Sequence, residues 1–118
     1  MIDCERLAST LFELDKNILY VGIIDERQDK VLFSKLRTGP VPASQERTLL
    51  ELYPTVVMRA AERAQERLGA MNTAVFSYEK GIMVVKRVGD LIVVAGLDPT
   101  MEPPSYVQKI VDVLSKQS

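Results

Sequence analysis

Residues 81–97, GIMVVKRVGDLIVVAGL, constrain the fold more than any other part of the chain, because two β-rich apolar runs flank the dipeptide Gly89-Asp90. Such runs, joined by so short a turn, form an antiparallel hairpin in which glycine supplies the backbone conformation that a tight turn needs. Residues 91–97 are apolar at successive positions, and so are most of residues 17–24. A strand with one wet face would alternate. An unbroken apolar run fits a central strand covered on both faces. The chain therefore calls for an antiparallel sheet with helices on both sides.

The remaining segments supply those helices. Asp3 can cap a first helix running to about Asp15, with Leu7, Leu11 and Leu14 on one face. After the strand at residues 17–24, a polar turn at 25–29 leads into a second strand at 30–37, which ends in Thr-Gly-Pro-Val-Pro. Ser44 can cap a long helix ending at Leu68, with Gly69 as its stop. Pro54 interrupts that helix by removing a backbone hydrogen bond and pushing Tyr53 from helical geometry, so a kink or two helices meeting near residue 53 is expected. Strands at 72–78, 82–88 and 91–97 follow, the first two joined by Glu79-Lys80-Gly81. Pro103-Pro104-Ser105 opens a last helix with Val107, Ile110, Val111 and Leu114 on one face, and Ser105 with Gln108 can form a capping box. The order is α-β-β-α-β-β-β-α, an α/β (α+β) chain read as one domain over residues 1–118.

Composition excludes much of catalysis. The chain of 118 residues has no histidine and one cysteine, Cys4. A triad hydrolase would lack its usual base, and a zinc site its ligands. With no possible internal disulfide, no signal-like start in MIDCERLAST and no apolar run near the roughly 20 residues that span a bilayer, a cytoplasmic location is expected. Fifteen basic and 16 acidic residues are mixed along the chain, for a net charge of -1, so neither nucleic acid binding nor membrane insertion is expected. Gly81, Gly89 and Gly96 lack the strand–loop–helix context of a phosphate loop. Asp25, Glu26 and Asp29 read as solvated turn residues. Cys4 stands where a helix dipole would favour a thiolate, but a lone cysteine near a chain end is more often incidental. No catalytic, metal or cofactor site is expected, which leaves binding of another protein.

The long helix carries more apolar surface than one sheet needs. At about 100° per residue, Leu50, Tyr53, Val57, Ala60, Ala61, Ala64 and Leu68 share a broad face suited to a sheet, with Arg59, Glu62, Arg63 and Glu66 opposite. Leu49, Leu52 and Val56 fall on that second side. Either Pro54 resets the helical phase and turns them to the same core, or they form a second ridge against a partner. In the second case the rows Arg59/Arg63/Arg67 and Glu62/Glu66 suit an antiparallel copy of the same helix, as in a two-fold dimer. The arginines could also grip a phosphate, although an exposed helix face is the simpler reading. The strand at 72–78 sets Thr73, Val75 and Ser77 against Ala74, Phe76 and Tyr78. Following the long helix, it should lie at the sheet edge, where it can pair with another chain.

The strand YVGIID at 20–25, the helix end AERAQERLG at 61–69 and the closing hairpin GIMVVKRVGDLIVVA at 81–95 resemble the roadblock family of dynein light-chain type domains, particularly its small archaeal members of unassigned function. That resemblance spans essentially the whole chain. It implies a profilin-like, five-stranded antiparallel sheet of order 2-1-5-4-3, with the long helix on one face and the terminal helices on the other. It further implies a homodimer, or a heterodimer with a paralogue, formed through the long helix and third strand, and a small Ras-like GTPase as client. The departures are Pro54 and a first hairpin without a glycine turn. A different reading is a PAS-like or profilin-like sensor holding a small ligand between sheet and helix, which requires a cavity of several hundred cubic ångströms.

Overall fold

Period-two side-chain alternation and short turns build one antiparallel sheet. The computed structural model describes residues 3–28, 30–39, 59–60, 62–71, 73–98 and 103–116. Its strands are β1 (Ile18–Asp25), β2 (Lys30–Leu36), β3 (Thr73–Tyr78), β4 (Gly81–Val88) and β5 (Leu91–Leu97), in the order β2-β1-β5-β4-β3. Three neighbours are hairpins, while the β1–β5 pairing joins the two halves of the chain. The β4–β5 hairpin runs in unbroken register from Val88↔Leu91 to Ile82↔Leu97, and Gly89 turns it with φ of 60°.

The described helices are α1 (Cys4–Leu14), α2 (Gln65–Leu68) and α3 (Pro103–Ser115). Asp3 caps α1, accepting the Arg6 N–H at 3.2 Å. α3 begins at Pro103, so Ser105 lies inside the first turn and is not the expected N-cap. Prolines suit that turn because its N–H groups have no helical partner to lose. Gln108 instead donates its amide to Asp112 Oδ1, one turn on, at 2.8 Å.

Two apolar layers flank the sheet. Leu7, Leu11, Val21, Ile23, Val84, Val93, Ile110 and Leu114 pack between it and α1 and α3. Tyr20, Ile24, Met83, Val85, Ile92 and Val94 form the opposite layer, with Met71, Ala74 and Phe76 packed against it. Adjacent residues such as Val84 and Val85 are thus both buried, as an apolar run in a central strand requires. Leu19 departs from that pattern at 42% exposure, where the β1–β5 register shifts between Ile18 and Tyr20.

Two local devices hold β1 and α1 in place. The Tyr20 ring lies along β1 over Gly22, and its hydroxyl is 3.2 Å from Ser34 Oγ. A Cβ at Gly22 would overlap the phenolic oxygen, and one at Gly96 would stand 3.1 Å from Tyr20 Cβ. Gly22→Ala is therefore expected to expel the ring and lower stability by about 1–3 kcal/mol, read by urea denaturation together with a shift of the Tyr20 ring resonances. An unchanged midpoint and spectrum would remove this role for Gly22.

The α1 C-terminus has no basic residue in its own last turn. Arg37, just beyond β2, provides the charge: Nη2 donates to the carbonyls of Phe12 and Asp15, and Nε to that of Ile18 at 2.9 Å. Its guanidinium sits 5.0 Å from the centroid of the Phe12 ring. Arg37→Met keeps much of the stem but loses these bonds, and should cost about 1–2 kcal/mol in thermal or urea unfolding. A cost within error of zero would mean that water satisfies those carbonyls equally well.

Candidate protein interface

The two edges of the sheet differ in how they are finished. β2 carries Lys30 and Lys35, and its pairing with β1 passes from Val31 to Phe33, bulging out Leu32. Its far end is occupied by Gly39, which accepts the Leu36 N–H at 2.9 Å and donates to the Leu36 carbonyl at 3.2 Å. Lysines, a bulge and a returning turn are the usual guards against strand addition. Among the described residues β3 has none of them. Its sequence TAVFSY is uncharged and lacks proline, its six-pair register with β4 is uninterrupted, and no described strand lies outside it.

Thr73, Val75 and Ser77 pair with Lys86, Val84 and Ile82, so they share the face that carries α1 and α3. Thr73 is half-buried and Ser77 exposed, while Val75 is 43% exposed at the middle of the strand. Phe76 and Ala74 turn inward on the opposite face. The expected edge position of this strand and its two-sided character are both present.

The segment before β3 departs from the projection of a continuous helix. Residues 59, 60 and 62 are helical, residues 63–64 form a turn, and α2 then runs only from Gln65 to Leu68. The Arg63 N–H bonds to the Ala60 carbonyl, three residues back, and this tightening breaks the regular rotation. Ala60, Ala64 and Leu68, placed on the sheet-facing side by the sequence, are exposed, Leu68 by 82%. Glu62, assigned to the solvent side, is exposed, and its carboxylate also reaches Arg87 of β4. Gly69 stops α2 as expected, with φ of 79° and its N–H on the Gln65 carbonyl at 2.7 Å.

An ion-pair cluster fixes this helix end. Arg87 Nη2 lies 2.7 Å from Glu26 Oε1 and 2.8 Å from Glu62 Oε1. Arg59 Nη2 is 3.5 Å from the Glu26 carbonyl. Glu26 is thus largely buried and paired, not the solvated turn residue expected, while Asp25 accepts the N–H groups of Arg27 and Gln28 as turn residues do. Arg87 pairs with Ile92 across the strands and shares its face with the layer opposite α1. A signal for it was present: a cation two positions beyond Val85 on an otherwise apolar strand face.

Of the residues named for partner contact, Arg59, Arg63, Glu66 and Arg67 are exposed along the helix end, on the far side of the sheet from Val75. A partner alongside β3 would reach both faces. Leu49, Leu52, Val56, Pro54 and Asp29 lie outside the described residues. Cys4 is half-buried, and burial, aided by the Asp3 carboxylate, raises its thiol pKa, against the pull of the helix dipole toward a thiolate. Among the described residues no helix is long and apolar enough to cross a membrane.

No protein-family model and no curated protein sequence matches the chain. Solved structures do match by fold. A Roadblock/LC7 domain from Streptomyces avermitilis aligns with a TM-score of 0.75 at 12% identity, covering 98% of this chain and 94% of that one. The gliding protein MglB from Thermus thermophilus aligns at 0.69 and 20% identity over 95% and 87% of the two chains. An MglB structure with a tetrameric arrangement gives the same TM-score and coverage at 21% identity. The sheet order and layers of this chain are those of the Roadblock/LC7 fold.

Proposed function

We propose that this chain is a non-enzymatic interaction scaffold that pairs with a second copy of itself, or with a paralogue, along β3 and the helix end at residues 59–68. The observation that supports this reading best is the contrast between a guarded β2 edge and an unguarded β3 edge. Exposed Leu68 and Val75 add apolar surface on either side of that edge. A two-fold axis beside β3 would join two five-stranded sheets into one and cover both residues. Arg59, Arg63 and Arg67 could face Glu66 of the second copy, tuning register more than affinity because exposed ion pairs contribute little. The tetrameric arrangement of an MglB relative by fold is consistent with self-association.

The client in this reading is a small Ras-like GTPase, as the roadblock resemblance implies, bound without hydrolytic chemistry from this chain. The test is capture from the native cell extract with the tagged chain, eluted after GDP or a non-hydrolysable GTP analogue. Enrichment of a small GTPase in one nucleotide state supports the reading. Recovery without any GTPase, or with no nucleotide dependence, counts against this client.

A further inference from the structure

An apolar groove of about 340 Å³ opens where β1 begins, β5 and β3 end and β4 begins. Leu19, Tyr20, Tyr78, Ile82, Met83 and Leu97 line it, together with Gly81 and Gly96. Lys80, in the β3–β4 turn, is the only charged residue in its lining among the described residues, where it makes no ion pair. Leu19 and Tyr78 rank among the most exposed large apolar residues described.

We infer that this groove binds a small amphiphile, an acyl chain of medium length ending in a single carboxylate that Lys80 receives. The volume lies at the low end for small-ligand sites, which run from roughly 300 to 1,000 Å³. β1, β4 and β5 each have a strand on both sides, so a peptide backbone entering here would find their ladders already paired. A hydrocarbon chain needs no such partner. Lys80 lines the groove from the β3–β4 turn, and its flexible stem lets one ammonium reach the groove mouth and meet one anionic head.

The groove includes Tyr78 at the end of β3 but not Val75 at its middle, so both the native chain and Val75→Lys should bind. The experiment is a titration of the full chain with decanoate, followed by amide NMR shifts. Saturable shifts confined to Leu19, Tyr78, Lys80, Met83 and Gly96 are expected, with Kd below about 1 mM. Lys80→Ala should weaken decanoate about tenfold and leave decanol within about twofold. Leu19→Asp, at an already exposed position, should abolish binding of both. The inference is overturned by the absence of saturable shifts, by shifts centred elsewhere, or by equal losses for decanoate and decanol on Lys80→Ala.

Discussion

Val75→Lys should turn a self-associating chain into a monomer while leaving its fold intact. Val75 occupies the middle of an uncharged edge strand and is 43% exposed in the isolated chain, so the substitution should change folding stability by no more than about 0.5 kcal/mol. In a two-fold pairing of β3 with its copy, each lysine would remove buried apolar surface and bring two like charges close together. A weakening of the dimer by about 100-fold is expected, equivalent to roughly 2.7 kcal/mol. Sedimentation velocity reads the mass, and circular dichroism reads the fold. An unchanged mass in a folded variant would place the contact elsewhere.

The second large effect concerns the layer on which that edge is built. Leu11 is fully buried with Leu7, Ile110 and Leu114, where α1 and α3 meet the sheet. Leu11→Ala should cost about 2–5 kcal/mol through lost transfer energy and an unfilled cavity. For a domain of this size that amounts to a fall in Tm of about 10 °C or more. Below the new Tm the variant should still self-associate, because Leu11 lies inside and β3 at the edge. A loss under about 1 kcal/mol would mean that the layer closes over the gap.

Much of the sheet was legible because its signals are local. The apolar runs in β1 and β5 required two covered faces, and Gly89-Asp90 fixed a register that the structure keeps from Val88↔Leu91 onward. Asp3 and Gly69 act as caps because capping depends on residues a few positions away. The helix face was not legible. A projection at constant rotation assumes continuity, and one tightened turn at residues 63–64 leaves Ala60, Ala64 and Leu68 exposed while Glu62 reaches Arg87. Glu26 and Arg87 are 61 residues apart, and no local pattern brings them together. The guards on β2 were likewise invisible beforehand, since a bulge at Leu32 exists only relative to a partner strand.

Site-resolved hydrogen exchange of the native chain at high and low protein concentration tests the central claim most directly. If β3 is the association edge, the amides of Thr73, Val75 and Ser77 should be protected at high concentration and lose that protection on dilution, while those of β2 stay constant. Concentration-independent exchange along β3, or a change confined to β2, would contradict it.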